Sequence, residues 1–505
     1  MSKNKTLTIN ESFNLAVKNH QEGKIDVAQE LYNQVLKIDP NHLFALNNLG
    51  IIFKELGQIQ KAKNCYERAI RINPNYADAL NNLGIIFKEL GQIEKAKNCY
   101  EKAIRINPNY ANALNNLGVV FGKLRDNQKA KDCYEKAIKI NPNYADAHNN
   151  LGILFKELKN YQKAKDCSEK AIEINPNDAR AYNSLGLIYE TLGKYRKAKD
   201  CFEKAIKINP NYADAHSNLG GIFNNLVENQ KAKNYYEKAI KINPDHVLAY
   251  WNLHGLSPDA DAALLILKKL YKIDNKNTEA TEAKIMISVL EAYKGNFSKF
   301  NDLLTTPDSN HAIARSAKWV FSLPKLPNIF FDRWDFFDNV IKLSDSSKPF
   351  YEFGVWNASS FQYLINTFKK GFGFDTFDGI PEDWHNEPKG AYSAFGTVPK
   401  IKGGEFIVGK FEDTLPKFFL KERPVASLIN FDADLYSSTL CALKYSNKVI
   451  DEKTILIFDE FIVNSKWEQD EYKALNEFCE NLGYNYEVIA ISFFSKQVAV
   501  KLKKN

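Results

Sequence analysis

The sequence predicts a multidomain chain: an all-α repeat solenoid followed by an α/β domain built on a sheet with a parallel core. Three observations carry this prediction. Proline and Leu-Gly recur every 34 residues over the first half. Past residue 331, short apolar runs alternate with amphipathic helical stretches. The charge also changes sign: from Phe331 onward 21 Lys and Arg stand against 26 Asp and Glu, a net of −5, which leaves +12 on the first 330 residues. At 505 residues the chain exceeds the roughly 100–200 residues of one ordinary domain. Its 44% apolar and 26% charged content excludes a wholly disordered or fibrous chain.

The repeat comes first. Prolines stand at 40, 74, 108, 142, 176, 210 and 244, and Leu-Gly recurs from Leu49-Gly50 to Leu219-Gly220. In the unit Ala77 to Tyr110, Leu80, Leu83, Gly84 and Phe87 line one helical face, and Ala96, Tyr100, Ala103 and Ile104 line a second. Gly91-Gln92 separates the two helices and Pro108 stops the second. Small Gly84 and Ala96 permit close approach within the hairpin, so the unit reads as an αα-hairpin that buries its apolar faces by stacking. This pattern resembles the tetratricopeptide repeat, in register seven times from Ile9 to His246. An eighth unit starts at Val247 and carries His254 where the others have Gly or Ala. The expected organisation is a tail at 1–8, the solenoid at 9–254, a degenerate helical cap and connector at 255–330, and the α/β domain at 331–505.

Five cysteines, Cys65, Cys99, Cys133, Cys167 and Cys201, share the 34-residue spacing. No His or second Cys accompanies them at ligand spacing, so they read as buried repeat positions rather than a zinc ladder. Asparagine recurs as well. In the family that the repeats resemble, the first helices line a concave groove, and Asn48, Asn82, Asn116, Asn150, Asn218 and Asn252 would form a ladder along it. An amide offers both a donor and an acceptor to an extended peptide backbone; the alternative is that these amides solvate the groove or bridge neighbouring repeats. A protein or peptide partner is the expectation. Nucleic acid is not, because the second half is acidic and the solenoid lysines recur as solvated helix faces rather than one dense cluster. No run approaches the roughly 20 apolar residues that span a bilayer, and the opening residues contain no apolar signal core, so a cytoplasmic protein is expected.

In the second half a helix is expected over 333–343, then strands near 349–353, 371–375, 406–408, 425–431 and 454–458. A helix over 468–481 and a terminal hairpin at 486–492 and 497–502 complete the pattern. Such sheets bind ligands at the carboxyl ends of their parallel strands. Every such end here carries carboxylate: Glu352-Phe-Gly354, Asp375, Glu412-Asp413, Asp432-Ala-Asp434 and Asp459-Glu460. That argues against a phosphate cradle, which needs glycine-rich backbone and a cation. It suits a ligand with hydroxyls, an amine and a positive centre.

Five ordered motifs then resemble the macrocin O-methyltransferase family of class I, Rossmann-like methyltransferases. They are Glu352-Phe-Gly-Val-Trp-Asn-Ala-Ser-Ser360, Phe374-Asp-Thr-Phe-Asp-Gly-Ile-Pro-Glu382, Gly409-Lys-Phe-Glu-Asp-Thr-Leu-Pro416, Asp432-Ala-Asp-Leu-Tyr-Ser-Ser-Thr439 and Ile457-Phe-Asp-Glu-Phe461. The resemblance implies S-adenosylmethionine as cofactor. Glu352 and Gly354 would form the turn against its methionine part, with Ser359 and Ser360 at the following helix start. Asp375 would take the ribose hydroxyls and Asp413 the adenine amine. Asp432, Asp459 and Glu460 would converge on Mg²⁺. The reaction implied is methyl transfer to a hydroxyl, typically of a sugar, with Asp432 as base, or His385 if its loop folds over the site. The motifs depart from the family at Asn357-Ala358, where glycines are usual, and at Glu460, where a second Asp is usual. A catalytically inactive scaffold is the alternative; a glycosyltransferase is excluded because about 175 residues leave no room for two nucleotide-sugar lobes.

Overall fold

The computed structural model describes residues 8–273, 278–382, 389–390, 393–394 and 396–504. The chain divides into two compact units, Met1–Ile188 and Tyr189–Asn505.

The first unit is a succession of helical hairpins, Ile9–Gln21 with Ile25–Ile38, Leu43–Glu55 with Ile59–Ile72, Ala77–Glu89 with Ile93–Ile106, and onward with the same period. Thr8 and Glu11 close a capping box on the first helix. The second helix ends where the residue ahead of the periodic proline turns extended, as Asp39 does before Pro40 and Asn107 does at φ −124° before Pro108; a residue preceding proline is pushed out of the helical region. Within the hairpin the expected close approach is real. A Cβ added to Gly84 would lie 2.6 Å from the Tyr100 ring, so only glycine admits that ring. Between hairpins, Leu80, Ala103 and Ala113 form one small apolar cluster, and Leu114, Ala137 and Ala147 form the next. Cys65, Cys99 and Cys133 are buried free thiols in this packing, and burial pushes each up to about 11.

The second unit begins inside the sixth hairpin. It takes in Tyr195–Ile208, the seventh hairpin Ala213–Asn225 with Asn229–Ile242, and the eighth, Val247–His254 with Ala260–Ile273. In that eighth hairpin His254 is fully buried against Trp251 and Phe494, and burial drives its imidazole down to about 4. Among the described residues eight strands follow: β1 Asn328–Phe330, β2 Phe350–Phe353, β3 Gly371–Asp375, β4 Gly404–Val408, β5 Leu428–Phe431, β6 Ile455–Phe458, β7 Tyr484–Ser492 and β8 Val498–Lys504. They form one mixed sheet in the order β1-β7-β8-β6-β5-β2-β3-β4, in which β8 pairs antiparallel with both neighbours and the other pairings are parallel. β1 lies within the segment expected to be a helical connector. At three residues it is too short to carry a period-two pattern, and its pairing with β7 decides its conformation.

Alternate strand residues face opposite layers. Tyr351, Phe353, Phe372, Phe374, Ile429 and Phe431 pack under Phe411–Phe418, Tyr436–Ser446 and Glu471–Leu482. Phe350, Leu428, Ile455 and Ile457 pack under Arg333–Lys342 and Ser359–Phe368. Burial on both faces explains why these strands read as continuous apolar runs. The chain leaves β2 toward β3 on one side and returns as β5 on the other, so a crevice opens at the carboxyl ends of β2 and β5.

Candidate active site at the carboxyl ends of the parallel strands

The crevice is built around Gly354, the first residue after β2. Its φ is +89°, and a Cβ there would lie 1.8 Å from the Asp432 carbonyl oxygen. Glycine lets the loops after β2 and β5 meet. Above them lies a cleft of about 270 Å³ lined by Gly354, Ser359, Ser360, Asp375, Asp432, Asp459 and Glu460 among others. Seven residues expected from sequence thus come together.

Their individual roles differ from expectation. Glu352 lies beneath the cleft, fully buried, where one carboxyl oxygen accepts from the Ser360 hydroxyl and from Asn430 Nδ2 at 3.2 Å. Burial pushes its carboxyl up to about 8. It therefore braces the Ser360 helix start rather than facing a ligand. Asp375 reaches the cleft, but its carboxylate accepts from the backbone amides of Val355 (2.7 Å), Trp356 (2.8 Å) and Phe377 (2.6 Å). It holds the post-β2 loop in shape. Asp413 is exposed and does not line the cleft, and its neighbour Glu412 does. On the first turn of a helix one residue is a rotation of about 100°, and the sequence reading chose the wrong side. Asp434 lines the cleft at φ +59° and gives no side-chain cap to Tyr436–Ser446.

The acidic trio does not form a ligand set. Arg333 Nη2 donates to Asp432 Oδ2 at 3.5 Å and forms an ion pair with Asp459 Oδ1 at 3.1 Å. Glu460 pairs instead with Lys496 at 3.0 Å, while Gln497 donates to Asp459 at 2.5 Å. No group of three His, Cys, Asp or Glu side chains suited to a metal ion occurs among the described residues. The donor set as it stands does not fit Mg²⁺, because a guanidinium occupies the gap between two of the three carboxylates and an ammonium claims the third. Burial and the neighbouring Asp459 push Asp432 well up, against the pull of Arg333. Asp434 is raised by burial and by Glu460, and fully buried Glu471 by its burial first and then by Asp434.

Arg333, Lys496 and Glu471 were missed by sequence reasoning, as were three residues from the repeats: Tyr195, Asn224 and Asn225 line the same cleft. Asn357 Nδ2 donates to the Tyr195 hydroxyl at 3.2 Å, Trp334 Nε1 to the Asn224 carbonyl at 3.1 Å and Asn229 Nδ2 to Asp332 at 3.0 Å. The only signal available was the break of the asparagine pattern near these positions. His385, the alternative base, lies outside the described residues.

The asparagine ladder has a structural occupation. Asn82 donates to Asn47 Oδ1, Asn116 to Asn81 Oδ1 and Asn150 to Asn115 Oδ1, at 2.9–3.0 Å, and Asn48 donates to the Tyr32 hydroxyl at 3.2 Å. These amides bridge successive repeats, the alternative weighed against peptide binding. Asn218 and Asn252 are half-buried at the equivalent positions.

Helical hairpins with a 34-residue period beside an acid-lined cleft define a helical-repeat protein that carries an α/β domain. Tetratricopeptide repeat profiles match residues 13–42, 31–64, 50–91, 86–124, 111–144, 145–178, 179–212 and 213–246, and the Sel1 repeat matches 246–272. The first ~270 residues are a tetratricopeptide repeat array. Similar solved structures include a tetratricopeptide repeat protein from Parabacteroides merdae (23% identity, 48% of this chain and 97% of that one, TM-score 0.41). Others are YrrB, described as having an unusual peptide-binding site (28%, 36% and 95%, 0.29), and pilF of Pseudomonas aeruginosa (24%, 45% and 96%, 0.33). No curated protein matches the chain. No helix among the described residues is long and apolar enough to cross a membrane.

Proposed function

We propose that the second unit binds S-adenosylmethionine in the acid-lined cleft and transfers its methyl group to a hydroxyl of a sugar-bearing acceptor, with the tetratricopeptide repeats recruiting a protein partner. One observation carries the reading: six carboxylates, Asp375, Glu412, Asp432, Asp434, Asp459 and Glu460, converge with the Gly354 turn on one cleft at the reversal of a parallel sheet. Such a cleft focuses negative potential on whatever enters, which suits a sulfonium and an adenine amine. Bound there, the cofactor supplies a methyl group on a positively charged sulfur. Asp432 would take the proton of the acceptor hydroxyl that receives this methyl group. Its raised affinity for a proton makes its ionised form a stronger base than an ordinary carboxylate, available once pH exceeds that raised value. Arg333 holds Asp432 and Asp459 in place, and no step is assigned to a metal ion.

A catalytically silent scaffold is the second reading, favoured by the commitment of the Asp375 carboxylate to three backbone amides. Calorimetry of the full chain with S-adenosylmethionine separates the two. Saturable binding that is lost in Gly354→Ala, whose added Cβ would collide with the Asp432 carbonyl, supports the enzyme; absence of binding to the intact protein leaves the scaffold.

A further inference from the structure

A second groove, of about 630 Å³, opens beside the cleft and shares Tyr195, Asn225, Asn357 and Ser359 with it. The two spaces therefore adjoin, and their balance of charge is opposite. Among the described residues the cleft is lined by six carboxylates against two cations, Arg333 and Lys410. The groove has no carboxylate among its described lining residues and carries two cations, Arg196 from the sixth repeat and Lys400 from the α/β part. Between these cations the lining is amide and phenol: Gln362 and Asn366 stand one helical turn apart on Ser359–Phe368, with Tyr363 between them. Amides and phenols offer hydrogen bonds to hydroxyls, and aromatic faces pack against the C–H faces of sugar rings.

We infer that this groove, walled on one side by the sixth and seventh repeats, binds an extended oligosaccharide bearing acidic groups and feeds it to the cleft. Acidity is required by the charge pattern: an anionic chain is attracted by Arg196 and Lys400 and repelled at the carboxylates of the cleft, so it stops with its end at the cleft mouth rather than filling the cofactor's space. The delivery of a hydroxyl rests on the methyl-transfer reading, whereas binding of the chain does not. The repeats thus form part of the acceptor site in addition to recruiting a partner.

The test uses the full-length protein and three probes in calorimetry: an oligogalacturonate, neutral maltohexaose and a hexaglutamate peptide. The oligogalacturonate is expected to bind more tightly than maltohexaose, and the double variant Arg196→Glu, Lys400→Glu to weaken it at least about tenfold. Both substituted side chains are exposed, and an unchanged thermal transition together with unchanged S-adenosylmethionine affinity verifies that the fold and the cleft are intact. Equal oligogalacturonate binding by the parent and double variant overturns the proposal. So does hexaglutamate binding that exceeds both sugars and is lost in the variant, which would make the groove a peptide site. Charge-dependent oligogalacturonate binding without cofactor binding keeps the groove and removes the methyltransferase.

Discussion

Replacing Arg333 by Ala tests the electrostatics of the cleft. The guanidinium lies 3.1 Å from one Asp459 oxygen and 3.5 Å from one Asp432 oxygen. The three side chains are 34%, 13% and 26% exposed respectively. Exposed ion pairs contribute about 0.2–1 kcal/mol, and removing one partner of a fully buried pair costs about 3–5 kcal/mol. This arrangement lies between, so the expected loss is about 1–3 kcal/mol near neutral pH. The loss depends on pH with a definite sign. The Asp432 carboxyl is already raised in the folded protein, so the folded state holds a proton that the unfolded chain releases, and stability falls as pH rises above the ordinary carboxylate value. Without Arg333 the carboxyl rises further, and the variant's deficit grows as pH climbs through the parent's raised carboxyl value. All six tryptophans lie beyond residue 250, so urea unfolding followed by tryptophan fluorescence reports the second unit alone. Mg²⁺ added to the variant is expected to recover part of the loss, because two carboxylates then face a gap that a hard cation can fill, and to leave the parent protein unchanged. A deficit independent of pH, or a parent protein stabilised by Mg²⁺ as much as the variant is, refutes this account of the cleft.

Glu352→Gln removes a carboxyl that the folded protein keeps neutral up to about 8. The folded value is raised, so the parent loses stability as pH climbs from about 4.5 toward 8; the variant flattens that decline, read from urea midpoints across the range, and an unchanged slope would count against a buried, protonated Glu352. Gly84→Ala sets a methyl 2.6 Å from the Tyr100 ring and is expected to cost about 1–3 kcal/mol. Tyr100→Phe, which removes a buried hydroxyl without a partner, costs less than about 1 kcal/mol. Helical ellipticity during thermal unfolding compares the two, and equal destabilisation would mean that the ring does not fill the glycine notch.

What the sequence made legible was whatever repeats or is set locally. The close approach at Gly84 could be read because the same small residue recurs at Gly50, Gly118 and Gly220, whereas the rings that fill these notches, Tyr100, Tyr66, Tyr134 and Tyr236, could be placed only on a helix face. The acids of the cleft could be read because a strand end is fixed by the apolar run before it, and the crevice follows from strand order. The partners of those acids were not legible. Arg333 meets Asp432 across 99 residues of sequence, and nothing in its surroundings along the chain distinguishes it from a surface arginine at a helix start. Asp413 and Glu412 differ by helical phase alone. The ladder asparagines were identified at the right positions, but whether an amide turns to a neighbouring repeat or to a peptide depends on a spacing that only the stacked hairpins set.

The domain boundary is the deepest of these differences, and it bears on function. Sequence composition changes at residue 331, whereas the compact unit begins at Tyr189. The contacts across residue 331 explain why. Asp332 caps Arg333–Lys342 and also accepts from Asn229, and Trp334 donates to the carbonyl of Asn224. The start of the helix that carries Arg333 is therefore held by the seventh repeat, and the Asn357 turn beside the cleft is held by Tyr195 of the sixth. Cutting the chain at residue 331 would leave Asp332, Trp334 and Asn357 without these partners, and with them the geometry of Arg333 between Asp432 and Asp459. A repeat that only recruits could be exchanged for another without touching the cleft. The sixth and seventh repeats cannot be, because their side chains are part of its wall.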